Sequence, residues 1–358
     1  MSQSLLRPIT GRHKQPEVVK ALIQLARHLG PNARLPRVRE LSKSLKVTVV
    51  TLDQALRQLE ERGLIDRRPR SGIFVSPRIM QRAIGLVVGF DIFANKDAAF
   101  FTILLEQCAK RAELNSERFS FFLNAPALNR SSSESIVHQD LADALEAGKL
   151  DGLIITSSRV EQDRWIMAQG VPVVRLGDPD KANTVHLEGG SVISLGMKEL
   201  QRHGCKEIAL IGVVPADIPR FRRSAAELGV TVREPWLQVK PETDSPYDTI
   251  AMEMTRALLE AKGPRPDGLL VTNDVMARGV LQTLEAAGLR IGADIQIASH
   301  ANRGSLILEQ WQPSLTLMEY DGADIAEAMF AILEAQIDGS GPQPARIVHP
   351  HLVPMPRK

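Results

Sequence analysis

Near the amino terminus, apolar residues recur at the three- and four-residue spacing of amphipathic helices. Val18, Val19, Leu22, Leu25, Ala26 and Leu29 share one face after Pro16, which suits a first helical turn, and Gly30-Pro31 ends that helix. Val38, Leu41 and Leu45 predict a short second helix, and Leu52, Ala55, Leu56 and Leu59 a third that stops at Gly63. Leu64 to Arg68 and Ile73 to Val75 read as short strands around the turn Pro69-Arg70-Ser71-Gly72. Three helices followed by a hairpin predict a winged helix-turn-helix.

After Pro77 the pattern changes to alternating apolar strand runs, at 84–88, 119–123, 152–156, 171–176, 208–212, 268–272 and 295–299, with amphipathic helices between them. Strands apolar on both faces and separated by helices predict an α/β body of parallel sheets flanked by helices. That many strands fit two lobes better than one sheet. Ser131-Ser132-Ser133 reads as a loop before a helix starting near Ser135.

A chain of 358 residues, 44% of them hydrophobic, can bury two or three cores. Its apolar runs, such as Ala83 to Val88, fall far short of the roughly 20 residues needed to span a bilayer, and Met1 to Pro8 contain no apolar signal region. No membrane partner and a cytoplasmic location are expected. Cys108 and Cys205 form no zinc or redox spacing and read as ordinary reduced side chains. Charge changes the picture more. Residues 1–78 hold 16 Lys and Arg against 6 Asp and Glu, whereas the remainder holds 28 against 36. A solvated face explains any one basic cluster, but acids avoiding a whole segment point to a domain that meets phosphates.

In a helix-turn-helix the second helix of the pair enters the major groove, and its first turn meets base edges. Here that turn is Thr48-Val49-Val50-Thr51. The stretch Leu35-Pro36-Arg37-Val38-Arg39-Glu40-Leu41, then Val47 to Leu59, Glu60 to Ile65 and Gly72-Ile73-Phe74-Val75, resembles the GntR family of winged-helix regulators. The resemblance implies that Arg39 holds a phosphate or base, that Thr48 and Thr51 face DNA, and that Arg70 to Gly72 put the wing tip in or near the minor groove. Arg67, Arg68 and Arg70 lie on and beside a hairpin where nothing apolar needs them, and arginine suits phosphates and narrow minor grooves. Gly72 is expected at positive φ. Thr48 reads equally as a helix cap, and the two roles are compatible. Val49 and Asp53 stand where the family commonly has arginine. Val49 suits a thymine methyl; Asp53 must accept a bond from cytosine or a neighbouring arginine, or face away from DNA.

From Ile84 onward the chain resembles the effector domain of the LacI/GalR family, itself similar to periplasmic sugar-binding proteins. The resemblance rests on Ile84 to Val88, His203 to Gly212, Thr272-Asn273-Asp274-Val275-Met276-Ala277-Arg278-Gly279 and Pro313-Ser314-Leu315-Thr316 in that order. It implies two similar lobes joined by three crossings near 184–187, 314–318 and 341–347, with a small molecule between them. The expected organisation is a head at 1–77, a linker at 78–83 and a body at 84–358. Within the body, lobe one takes 84–184 and 318–341, and lobe two 187–314 and 347–358. Asn273, opening a helix after a buried strand, reads as a helix cap or as an amide facing the cleft. Arg222 matches the family's ligand-clamping arginine, although the run Arg220-Phe221-Arg222-Arg223 also reads as a solvated basic face. Asp178 is a cleft candidate that a turn around Pro179 explains as well, and Phe93 and Phe100 are candidates for the ligand floor, with Phe101 read as core. The family often has an aspartate after the strand at 295–299, where this chain reads His300-Ala301-Asn302, so either His300 or Asn302 substitutes or the ligand is unlike the usual sugar.

The chain contains no phosphate loop, nucleophile elbow, His-Glu-x-x-His or dinucleotide glycine fingerprint. His349 and His351 have the alternation to share a strand face but lack a third ligand, so neither metal nor cofactor is expected. The joined halves resemble arabinose-repressor-type regulators. That resemblance implies a non-enzymatic repressor on double-stranded operator DNA, released by a small sugar-like effector, working as a homodimer through the helix at 100–113. The alternatives are a DNA-binding protein without an effector and an α/β enzyme with a DNA-binding head.

Overall fold

The computed structural model describes residues 14–89, 99–123, 139–157, 160–243 and 245–355. In the head, α1 (Lys14–Leu29), α2 (Val38–Leu45) and α3 (Val49–Glu61) bury the apolar stripes read from the sequence, with Val18, Leu22, Leu41, Leu45, Leu52, Leu56 and Leu59 fully enclosed. The antiparallel hairpin β1 (Ile65–Arg68) and β2 (Gly72–Val75) pairs Ile65 with Val75 and Arg68 with Gly72. Gly72 has φ +120°, a backbone conformation that favours glycine, and a Cβ there would only have to displace the flexible Arg34 guanidinium. Asn32 to Leu35 add main-chain bonds to the outer side of β2, including Leu35 N–H to the Ile73 carbonyl at 2.9 Å.

The segment expected as a linker is largely part of the head. Pro77–Met80 form a 3-10 turn, capped by the Ser76 hydroxyl, that drops Ile79 into the head core. An apolar side chain four residues before the first body strand is covered more readily by the nearby core than left in water.

The body holds two six-stranded sheets. The first contains β3 (Ala83–Val88), β4 (Arg118–Leu123), β5 (Gly152–Ser157), β6 (Val173–Leu176), β7 (Thr184–Leu187) and β13 (Arg346–Val348), in the order β13-β7-β6-β5-β3-β4. All its pairings are parallel. The second contains β8 (Ile208–Gly212), β9 (Leu237–Val239), β10 (Gly268–Val271), β11 (Gln296–Asn302), β12 (Leu315–Tyr320) and β14 (His351–Val353), in the order β14-β12-β11-β10-β8-β9. Only β14 runs antiparallel to its neighbour there. Every residue of β3, β8 and β10 is buried, which is why these strands read as unbroken apolar runs.

Helices α4 (Ala99–Leu114), α5 (Gln139–Glu146), α6 (Val160–Ala168) and α11 (Gly322–Ile337) serve the first lobe. The second has α7 (Gly189–Arg202), α8 (Asp217–Leu228), α9 (Tyr247–Glu260) and α10 (Asp274–Ala286). A Cβ at Gly279 would collide with the Asp248 backbone carbonyl, so glycine lets α10 lie directly on α9. The chain passes between lobes after β7, after β12 and between β13 and β14, at 187–189, 320–322 and 348–351. Each passage lies beyond the expected one, because the segments at 184–187 and 315–320 are themselves strands of their sheets.

The head sits against the amino-terminal edge of the first sheet. Asp151, immediately before β5, accepts from the Ala83 amide at 2.8 Å and pairs with Arg27 of α1 at 3.3 Å and Arg62, the residue after α3, at 3.9 Å. The Arg62 side chain is only 5% exposed. Burial pushes its pKa down, Asp151 opposes that, and Arg118 and Arg27 add to it. One carboxylate therefore serves a junction crowded with guanidinium groups.

Candidate functional site

Two surfaces concentrate the polar chemistry. On the head, Thr48 caps α3, its hydroxyl accepting from the Thr51 amide at 3.2 Å and lying 2.9 Å from the Thr51 hydroxyl. Val49 and Val50 follow on the outside of the same turn, and Arg39 of α2 is exposed. On the wing, the Arg68 guanidinium stacks 4.4 Å from the Phe74 ring centre, and Arg70 occupies the tip at φ 58°. Arg67 goes elsewhere. It donates from Nη1 to Asp53 at 2.8 Å and places Nε 3.1 Å from Glu60, clasping the hairpin to α3. Arg67, expected to meet DNA, is engaged within the head, and of the readings left open for Asp53 the neighbouring arginine is the one observed. Hydrogen bonds from Arg67 and Arg57 hold the Asp53 carboxyl below its ordinary range.

The second surface is a cleft of about 600 Å³ where the carboxyl ends of both parallel sheets face each other. The first lobe contributes Phe100 and Phe101, edge to face at 5.1 Å, with His186 and Leu187 from the end of β7. The second contributes Val213 and Val214 after β8, Asp217 and Arg220 on α8, Tyr247, Thr272 to Asp274 after β10, His300 and Asn302 on β11, and Tyr320. Asp217 is held by its own wall: Oδ2 accepts from the Val213 and Val214 amides at 3.1 and 3.3 Å and from the Thr272 hydroxyl at 3.0 Å. Asp274 likewise accepts from the Val275 amide at 3.0 Å and from Asn302 Nδ2 at 2.8 Å.

In the wall beside Asp274, three buried polar atoms have no partner among the described residues: His300 Nδ1, Asn302 Oδ1 and Tyr320 Oη. The His300 and Tyr320 rings are 5.5 Å apart. Burial pushes the His300 pKa down against the pull of Asp274, favouring the neutral ring. Burial, with the Glu188 charge, pushes the Tyr320 phenol up. Each unpartnered atom costs about 1–3 kcal/mol until something bonds to it. Such a wall is suited to a polar molecule that supplies those bonds, between aromatic faces and beside the Arg220 cation.

The expected cleft residues divide. Phe100, Asn273, His300 and Asn302 line it, and Asn273 also caps α10, accepting from the Met276 amide at 3.0 Å. Phe101, read as core, lines it too. Phe93 lies outside the described residues. Arg222 is not in the lining: it pairs with Glu234 at 2.7 Å on the outside of α8. Positions two apart on a helix project roughly 200° from one another, so Arg220 takes the cleft side and Arg222 the solvent side. Asp178 forms a local turn, accepting from the Asp180 amide at 3.0 Å, and is absent from the lining. Asp217, Tyr247 and Tyr320 went unread; the spacing of Asp217 and Arg220, one turn apart on α8, carried the only local signal.

The paired histidines diverge. His349 meets Ser191 at 3.1 Å and His351 meets Asp324 at 2.9 Å, because Pro350 separates them between two strands. Among the described residues no group of three or more His, Cys, Asp or Glu could hold a metal, and no helix is long and apolar enough to cross a membrane. Both cysteines are free, and burial pushes each thiol up to about 12.

Family models match in the same order. Residues 17–75 match the bacterial regulatory proteins of the gntR family, and residues 197–357 match a periplasmic binding protein-like domain. The chain is 26% identical over 214 residues to the HTH-type transcriptional repressor PurR of Vibrio cholerae, a match covering 56% of this chain and 61% of that repressor. Its fold is similar to that of a LacI-family regulatory protein from Chloroflexus aggregans, with TM-score 0.61 and 19% identity over 75% of this chain and 96% of the other. It is also similar to the transcriptional regulator CelR in complex with cellobiose, with TM-score 0.60 and 20% identity over 94% and 97% of the two chains. The chain thus joins a gntR-family helix-turn-helix head to a periplasmic binding protein-like body with the fold of LacI-type regulators.

Proposed function

We propose that this protein is a ligand-responsive transcription regulator: the head binds operator DNA, and a small polar effector between the lobes changes that binding. The observation that carries the reading is the cleft wall, where His300, Asn302 and Tyr320 each leave a buried polar atom unpartnered at the meeting of two lobes. A sugar or sugar derivative suits it, since hydroxyl groups both donate and accept and sugar rings stack on aromatic faces such as Phe100. CelR, similar in fold over nearly the whole chain, is bound to cellobiose. Closure of the lobes on the effector is the movement available to a two-lobed body.

The reading is of a repressor and not an enzyme. Asp217 and Asp274 are engaged by their own wall, which suits holding a ligand better than accepting its protons. Regulators of this kind act in the cytoplasm, where DNA is reached. Phosphate contacts fall to Arg39, Arg68 and Arg70, with Thr48, Val49 and Thr51 over the bases and Gly72 shaping the wing tip.

We assign the pairing surface of a homodimer to α4 and the edge strand β4. Leu114 is 85% exposed there, and Phe121, also exposed, packs edge to face with Phe119 at 5.1 Å. A second copy would cover both and place two heads on a two-fold symmetric site.

Thermal unfolding with a panel of sugars, nucleosides and sugar phosphates, with turnover followed in parallel, tests the reading. Stabilisation by one member without product supports a sensor; product formation, or no stabilisation by any member, counts against it.

A further inference from the structure

We infer that Val49 and Val50 form a pair that reads thymine methyl groups, so that the operator half-site carries A·T base pairs beneath the first turn of α3. The inference rests on the DNA-binding reading of the head and adds what that head recognises. Val49 is 51% exposed and Val50 68% exposed, and apart from Met80 they are the large apolar side chains left exposed among the described residues of the head. Both stand on the first turn of α3, in a domain carrying 16 Lys and Arg against 6 Asp and Glu over residues 1–78.

The groups around them narrow what this turn can recognise. The Thr48 and Thr51 hydroxyls meet each other at 2.9 Å, and Thr48 also accepts from the Thr51 amide at 3.2 Å, so both hydroxyls already have one bond within the turn. One turn on, Asp53 is closed by Arg57 at 3.0 Å and Arg67 at 2.8 Å, so neither the carboxylate nor these guanidinium groups are presented singly to a base. Exposed Gln54, four residues after Val50, adds an amide whose fork fits adenine. On the first turn itself the side chains left exposed without a bond are two branched apolar ones, Val49 and Val50. The apolar feature on a major-groove base edge is the C5 methyl of thymine. Neighbouring residues on a helix project about 100° apart, so two valines reach two different methyls.

The test starts from a random-sequence duplex pool enriched on the full-length protein. Each thymine of the selected site is then replaced singly by deoxyuridine, which removes the methyl and keeps every hydrogen-bonding group. Two thymines per half-site should each lose about fourfold in affinity when demethylated, the fold-change for withdrawing one buried methyl-sized group. Val49→Ala should abolish the penalty at one and Val50→Ala at the other. Both positions are exposed, so the variants are expected to fold, and their unfolding temperatures check this. A selected site indifferent to deoxyuridine everywhere, but weakened when guanine N7 is removed with 7-deazaguanine, would overturn the inference while leaving DNA binding standing. A pool yielding no enriched sequence would overturn both.

Discussion

Arg67 of the wing donates to Asp53 of α3 at 2.8 Å, and that bond fixes the hairpin's angle to the helix it flanks. Aspartate here does not repel DNA as an isolated carboxylate would, because Arg67 and Arg57 both bond to it. Arg67 thus holds the wing, and the proposed reading leaves Arg68 and Arg70 to meet DNA. Arg68→Ala and Arg70→Ala should each weaken binding to all sequences and reduce the slope of log affinity against log salt by about one. Arg67→Ala should leave that slope near the wild-type value while loosening the wing. Equal loss of slope in all three variants, read by fluorescence anisotropy across a salt series, would contradict the division.

Asp151 should be a costly residue to neutralise. Asp151→Asn leaves Arg62 buried beside Arg27 and Arg118 without its counter-charge, and breaking a buried pair from one side costs about 3 kcal/mol. Differential scanning calorimetry should show the head melting separately from the body, where the wild type melts with the two coupled. Unchanged melting would mean that Asp151 does not secure the head.

The pH dependence of the body follows from His300. Its folded pKa lies below the ordinary 6.5, so the unfolded chain takes up a proton that the folded one resists. Stability is then fully present above 6.5 and declines as pH falls from there toward the folded value. His300→Gln should flatten the fall in unfolding temperature between about pH 7 and 5. Parallel curves for wild type and variant would contradict a neutral, buried ring.

Pairing through α4 and β4 predicts that Leu114→Asp combined with Phe121→Asp yields monomers in sedimentation. Operator affinity should fall while the fold is kept, since Leu114 is 85% exposed in the isolated chain. A dimer persisting in the double variant would place the interface elsewhere.

The head and the central strands were legible in the sequence because their periodicities are long and uninterrupted. The stripe Val18 to Leu29 and the run Ala83 to Val88 admit few other readings. The edges were not: β13 and β14 are three residues each, too short to show a period, so the third passage between lobes was displaced. The cleft was half legible. Asn273 lies two residues past β10 and His300 near the carboxyl end of β11, at the edge that the apolar runs before them point to. Arg220 was confused with Arg222 because three arginines flank Phe221 and nothing in a charged run marks its phase; burial of Phe221 and Ala225 does. The clasp between Asp53 and Arg67 joins residues 14 apart, a contact that only the hairpin's position reveals.

The most direct test of the account is a titration of operator DNA against the wild type, Arg220→Ala and Arg222→Ala, with and without the sugar that most raises the unfolding temperature. In the wild type the sugar should change DNA affinity by a fixed factor, and saturating operator should change sugar affinity by the same factor, as linkage requires. Arg222→Ala, whose side chain pairs with Glu234 outside the cleft, should keep that factor, and Arg220→Ala should reduce it to near one. A wild type whose DNA affinity is the same with its cleft empty or filled would contradict the account.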